Sequence, residues 1–118
     1  MSQNTILIVE DDAALLQTIS QRLESEGFVV ISVPTFEQGV DALASEDIQL
    51  LIADIGLPDG NGEDLAASAQ AAGIPAICIT GLPDRSFYEM PCIVLEKPFR
   101  GTQLLDAVKY TLTEFPIS

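Results

Sequence analysis

The sequence predicts an α/β domain built on one doubly wound sheet of five parallel strands with helices on both faces. Short runs of β-branched and apolar residues recur along the chain, and amphipathic stretches with helical spacing separate them. Length adds a third constraint. A chain of 118 residues holds one domain of ordinary size and has no room for a second, so residues 1–118 are expected to form a single unit.

Each element follows from local pattern. Thr5-Ile6-Leu7-Ile8-Val9 is continuous and apolar, as a strand covered on both faces should be. It ends at Glu10-Asp11-Asp12, and a helix follows with Leu15, Leu16, Ile19 and Leu23 on one stripe and Gly27 as its stop. Phe28 to Val33 forms a second strand. Thr35, with Gln38 three residues later, resembles a capping box that opens a helix carrying Phe36, Val40 and Leu43. Ile48 to Ala53 is the third strand and delivers Asp54 at its carboxyl end. A turn-rich loop, Leu57-Pro58-Asp59-Gly60-Asn61-Gly62, leads to an Ala-rich helix from about Glu63 to Ala72, closed by Gly73. Pro75 to Thr80 and Cys92 to Glu96 are the fourth and fifth strands. Thr102 or its neighbour starts a last helix with Leu104, Leu105, Val108 and Leu112.

One crossover departs from this rhythm. Few residues lie between Gly81 and Pro91, and Pro83 interrupts them. A strand–helix–strand connection needs at least about ten to twelve residues. The helix between the fourth and fifth strands is therefore expected to be short, irregular or missing.

Composition narrows the function classes. Apolar residues make up 47% of the chain, enough for a core, while 18 acids against 5 bases give a formal net charge of −13. Such a surface repels phosphate backbones and anionic lipid heads, which argues against nucleic-acid and membrane binding, and it suits divalent cations. Histidine is absent, so no histidine general base, zinc ligand or phosphohistidine can be built. Cys78 and Cys92 lie in apolar stretches and read as reduced, buried thiols; a disulfide or redox pair would require their strands to be neighbours. No signal peptide or apolar run of membrane-spanning length is seen, and a cytoplasmic location is expected.

In sheets of this kind the chemistry sits beyond the carboxyl ends of the strands, near the point where strand order reverses. The first strand delivers Glu10 and Asp11 there, the third Asp54, the fourth Thr80 and the fifth Lys97. Crowded carboxylates repel one another unless a positive charge lies between them. Mg²⁺ suits the position: it prefers oxygen ligands and often holds a phosphate as well. On Asp54 it would offset the charge of a phosphoryl donor and orient the carboxylate for in-line attack. Lys97 would neutralise one phosphoryl oxygen and Thr80 donate a hydrogen bond to another. Singly, each residue has a plainer explanation. Asp11 and Asp12 could cap the first helix, and Asp12 is assigned that role. Asp54 could cap a turn, Thr80 could simply favour a strand, and Lys97 could be solvated. The five together carry the signal.

The motifs Ile-Leu-Ile-Val-Glu-Asp-Asp (6–12), Asp-Ile-Gly-Leu-Pro-Asp-Gly-Asn-Gly (54–62), Ile-Thr-Gly (79–81) and Glu-Lys-Pro-Phe (96–99) resemble, in this order and over nearly the whole chain, the receiver domain of two-component response regulators. The resemblance implies a flavodoxin-like strand order 2-1-3-4-5. It implies that Asp54 is the phosphoacceptor, Asp11 a direct metal ligand, Glu10 a ligand through water, and the backbone carbonyl of Gly56 a further ligand. Thr80 matches the switch hydroxyl, Gly81 the small residue after it, and Lys97 the phosphate-binding lysine, with a cis Lys97–Pro98 peptide. The implied partner is a sensor histidine kinase or a His-containing phosphotransfer protein, with a downstream protein target switched by phosphorylation. Two departures stand out. Val94 occupies the place, three residues before the lysine, where the family usually has Tyr or Phe, and the segment after Thr80 is shorter than usual. The second feature is similar to single-domain receivers with a Phe-Ala-Thr-Gly-Tyr-like motif. With no DNA-binding or enzymatic output segment after the last helix, a free-standing regulator or a domain cut from a longer protein is expected.

Three other readings compete. A receiver-like binding module that works without phosphorylation is motivated by Val94, and the complete set of five polar residues opposes it. A metal-dependent phosphatase would place a second Asp two residues after the nucleophile, where this chain has Gly56. A flavin-binding domain would need a phosphate-cradling loop after the first strand, where Glu10-Asp11-Asp12 would repel the phosphate.

Overall fold

The computed structural model describes residues 4–81 and 92–114. Nine elements follow in the order β1(Thr5–Val9), α1(Ala13–Ser25), β2(Val29–Val33), α2(Phe36–Ser45), β3(Leu50–Asp54), α3(Gly62–Ala71), β4(Ala76–Thr80), β5(Ile93–Glu96) and α4(Gly101–Glu114). The strands pair in parallel throughout, in the order β2-β1-β3-β4-β5. This is the flavodoxin-like arrangement expected from the sequence. The helix expected between the fourth and fifth strands falls on residues 82–91, outside the described residues.

Alternation along the strands builds two cores. Leu7, Val9, Leu51, Ala53, Ala76 and Cys78 face α2 and α3 and pack on Leu65, Ala66 and Ala69. Ile6, Ile8, Leu50, Ile52, Ile77 and Ile79 face α1 and α4 and pack on Ile19, Leu23, Leu104 and Val108. The strands read as unbroken apolar runs because both faces are covered. Burying each such Leu or Ile stabilises the fold by about 2 kcal/mol.

The ends of the elements are set by specific groups. Asp12 caps α1, its carboxylate accepting from the N–H groups of Ala14 (3.0 Å) and Leu15 (3.2 Å). Gly27, at φ 93°, closes the same helix: its N–H donates to the Glu24 carbonyl and that of Phe28 to the Leu23 carbonyl. Gly73, at φ 83°, repeats this closure after α3, with bonds to Gln70 and, from Ile74, to Ala69. β3 starts at Leu50, two residues later than expected. Just before it, the Gln49 side-chain oxygen accepts the Thr5 N–H (2.6 Å), a donor that a backbone ladder would otherwise satisfy.

The start of α2 carries a long-range cap. The Thr35 hydroxyl oxygen accepts from the Gln38 N–H at 3.1 Å, and the Asp59 carboxylate accepts from the N–H groups of Phe36 (2.8 Å) and Glu37 (3.2 Å). Asp59 belongs to the turn-rich loop after β3, so the loop is tied to the helix beside it. The Phe36 N–H holds the Asp59 carboxyl below its ordinary value of 3.8; slight desolvation opposes this and the Glu37 N–H adds to it. A carboxyl whose folded value is depressed stabilises the fold above the unfolded value and loses that contribution as pH falls through the folded one. Asp59→Ala should therefore melt below the parent at neutral pH, and the gap should close as the pH is taken below 3.8; thermal denaturation across a pH series checks this.

Candidate functional site

The strand order reverses between β1 and β3, because the chain leaves β1 for β2 on one side and returns to β3 on the other. A crevice therefore opens beyond the carboxyl ends of β1 and β3. Glu10 follows β1 directly, and its N–H donates to the Val33 carbonyl (3.2 Å), extending the pairing with β2 by one bond. Its side chain is completely buried. Asp11 is exposed, and Asp54, the last residue of β3, is 5% exposed. One carboxylate oxygen from each of Glu10, Asp11 and Asp54 lies within 4.8 Å of the other two.

Lys97 enters this crevice from the end of β5. Its Nζ lies 2.8 Å from Asp54 Oδ2 and 2.6 Å from Glu10 Oε1. The other Asp54 oxygen, Oδ1, accepts from the Gly56 N–H at 2.9 Å. The backbone behind Asp54 is held as well. The Ile55 N–H donates to the Ile79 carbonyl (2.9 Å) and the Gly62 N–H to the Ile55 carbonyl (3.2 Å). Gly62 lies so close that a Cβ there would overlap the Asp54 carbonyl oxygen. A side chain at position 62 would push α3 away from β3.

Thr80 is buried at the end of β4, and its carbonyl accepts the Lys97 N–H at 2.7 Å. The Lys97–Pro98 peptide is cis, as the resemblance implied. The structure thus brings Glu10, Asp11, Asp54 and Gly56 together with Lys97, and seats Thr80 on the strand between β3 and β5. Val94 packs in the α2/α3 core, paired in register with Cys78. Cys78 and Cys92 are free thiols on neighbouring segments; Cys78 is buried as expected, while Cys92 is only partly buried because it stands just before β5.

Electrostatics separate the two inner carboxylates. Burial pushes the Glu10 carboxyl up to about 7, its hydrogen bonding with Asp54 adds to this, and Lys97 opposes it. Burial also works to raise Asp54, but the hydrogen bonds with Glu10, Lys97 and the Gly56 N–H outweigh it and hold that carboxyl low. Burial disfavours the Lys97 ammonium, and its hydrogen bond to Asp54 and its ion pair with Glu10 overcome this and raise it. Asp54 is therefore a carboxylate at neutral pH. It is the nucleophilic form.

The donor set fits a hard divalent cation such as Mg²⁺. All three side chains offer oxygen, the ammonium pairs with only two of the three acids, and the buried Glu10 Oε1 makes no hydrogen bond although Nζ is close. Glu10, Asp11, Asp54, Gly56 and Lys97, named from the sequence, lie side by side, whereas the depth of Glu10 and its direct pairing with Lys97 had no local signal. The sequence also marked Asp59 as a turn residue only. The signal for Asp59 was a carboxylate in a Pro-Asp-Gly turn close to a helix start, but no local pattern names the helix that it caps.

Lys97 stabilises two buried carboxylates at once, so the two ends of this cluster should respond unequally to mutation. Lys97→Ala should lower the unfolding free energy by about 3 kcal/mol in metal-free buffer, because it leaves Glu10 and Asp54 facing each other without a counter-charge. Asp54→Ala should cost less, since Glu10 still pairs with the lysine and the repulsion between the carboxylates is gone; urea denaturation of both variants checks the order.

The family described as response regulator receiver domain matches residues 6–109. The cell cycle transcriptional regulator CtrA of Caulobacter vibrioides is 38% identical over 78 residues, which is 64% of this chain and 34% of CtrA. The transcriptional regulatory protein CpxR of Escherichia coli K12 is 41% identical over 78 residues, 65% of this chain and 33% of CpxR. The chain thus matches about a third of the length of these curated relatives. Among solved structures, a receiver domain protein of Methanospirillum hungatei JF-1 superposes with a TM-score of 0.88 at 32% identity, covering 96% of each chain. A receiver protein of Sinorhizobium medicae WSM419 superposes at 0.89 with 28% identity, covering 95% of this chain and 96% of its own. The acidic crevice with its lysine thus lies in a chain that belongs to the response regulator receiver domain family of two-component signalling.

Proposed function

We propose that residues 1–118 form one regulatory phosphoacceptor domain in which Asp54 takes a phosphoryl group from a phosphohistidine, supplied by a sensor histidine kinase or a His-containing phosphotransfer protein in the cytoplasm. The observation that carries this reading is the convergence of Glu10, Asp11 and Asp54 within 4.8 Å, with Lys97 Nζ 2.8 Å from the Asp54 carboxylate. Asp11 and Asp54 would hold Mg²⁺ directly, Glu10 through water, and the Gly56 carbonyl would complete the protein's share. When bound, the ion supplies positive charge that offsets the phosphoryl oxygens.

In the transfer, an Asp54 carboxylate oxygen bonds to phosphorus as the phosphorus–nitrogen bond of the donor breaks and the imidazole leaves. Lys97 moves from the two carboxylates onto a phosphoryl oxygen. The Thr80 hydroxyl donates to another. Water later attacks phosphorus, releasing inorganic phosphate and restoring the carboxylate. The chain promotes only its own phosphorylation and dephosphorylation, and the two charge states bias contacts with a downstream protein. No helix among the described residues is long and apolar enough to cross a membrane, and the net charge of −13 disfavours nucleic acid as a partner.

Val94 favours a second reading, a binding module that works without phosphorylation, because a valine cannot make the rotamer swing of the usual aromatic. One experiment separates the two. Incubated with Mg²⁺ and acetyl phosphate, the intact protein should gain one phosphoryl mass, and Asp54→Ala or chelation of the metal should abolish the gain. No gain would favour the module, and an equal gain on Asp54→Ala would overturn the assignment of Asp54 as the phosphoacceptor. Asp11→Asn should weaken Mg²⁺ binding by about tenfold or more in titration calorimetry, a loss of at least about 1.4 kcal/mol.

A further inference from the structure

Cys78 and Cys92 take no part in phosphoryl transfer. Cys78 is fully buried in the middle of β4, and Cys92 stands immediately before β5, partly buried. Side chains alternate across a strand, so Cys92 and Val94 lie on one face. Val94 is the register partner of Cys78, and all three residues pack into the core beneath α2 and α3. The two sulfur atoms meet diagonally across the strands, 3.6 Å apart.

This placement differs from that of two thiols that merely fill a core. The contact is sulfur to sulfur. One partner is sealed inside and the other is partly open to solvent, which is how an attacking thiol and a resolving thiol must be placed. Register pairing of β4 with β5 begins at Ile77 and Ile93, so Cys92 lies just outside the ladder, and the sulfurs must approach by about 1.5 Å to bond. We propose that Cys78 and Cys92 are a hydroperoxide-sensitive dithiol that closes to an intrachain disulfide and is reopened by thiol reductants.

The Cys92 sulfur attacks the peroxide oxygen, the O–O bond breaks, and Cys92 becomes a sulfenic acid as water (or an alcohol) leaves. Cys78 then attacks Cys92 Sγ, the S–O bond breaks, and the sulfenic oxygen leaves as a second water with the remaining thiol proton. Two thiols are thereby oxidised to one disulfide, and the peroxide is reduced. The hydrogen bond shared with the Cys78 thiol holds the Cys92 thiol below its ordinary value, against burial and the nearby Glu63 carboxylate. That order agrees with Cys92 reacting first.

A bond here ties β4 to the start of β5. On the phosphoacceptor reading those strands carry Thr80 and Lys97, so oxidation acts on the pair of groups that receives the phosphoryl oxygens. Formation of the bond itself does not depend on that reading, and Asp54→Ala should oxidise like the parent.

The test is dilute hydrogen peroxide on the full chain, followed by denaturation in an alkylating reagent and intact mass measurement. The parent should lose two hydrogens, take up no alkyl group, remain a monomer on a non-reducing gel, and recover both thiols in dithiothreitol. Cys78→Ser, with Cys78→Ala as the alternative should it fold poorly, should stop at a Cys92 sulfenic acid that a dimedone probe captures. Cys92→Ser should stay unreacted at the same dose. Full alkylation of the treated parent, a disulfide between two chains, or equal reactivity in Cys92→Ser would overturn the proposal.

Discussion

Two carboxylates with almost no exposure, on strands that lie side by side, cannot both stay charged in a protein interior without a cation between them. Lys97 supplies that cation, and the sheet dictates how it gets there. β5 is separated from β3 by one strand and from β1 by two, and neighbouring strands stand about 4.8 Å apart. An ammonium from the end of β5 must therefore cross β4 to meet Asp54, and Glu10 must come part of the way from β1. Side-chain length suits these separations, with a four-carbon stem at 97, the longer acid at 10 and the shorter acid on the nearer strand.

Much of the architecture was open to reading from the chain itself, because its signals are local. The strands are near-continuous Ile, Leu and Val runs, Asp12 precedes an amphipathic helix, and Gly27 and Gly73 follow two of them, where a positive φ is needed. The site was open for a related reason. Each of its residues stands at the end of a strand, and parallel strands place their ends on one edge. What stayed hidden depends on contacts between distant segments. Asp59 lies 22 and 23 residues from the N–H groups it caps. Gln49 substitutes a side-chain oxygen for a ladder bond 44 residues away. Strand ends told which acids gather, while the packing around β1 decided that Glu10 is sealed and Asp11 remains open.

The division between Glu10 and Asp54 follows from that packing. Both are desolvated, yet Asp54 collects the Gly56 N–H and the lysine on separate oxygens, while Glu10 shares the lysine without a hydrogen bond to it. The proton affinity of the pair is thereby pushed onto Glu10, and the carboxylate that faces the open side of the crevice keeps its charge. Asp54 is held as the anion without histidine, because its neighbour Glu10 is the better base.

Gly60 adds a mechanical consequence. A Cβ there would overlap the Phe36 ring, so the loop backbone lies flat against the first aromatic residue of α2. Six residues after Asp54, this contact and the Asp59 cap join the loop to the first turn of α2. Any rearrangement at the end of β3 is thus geared to the α2 side of the sheet as well as to the edge formed by β4 and β5.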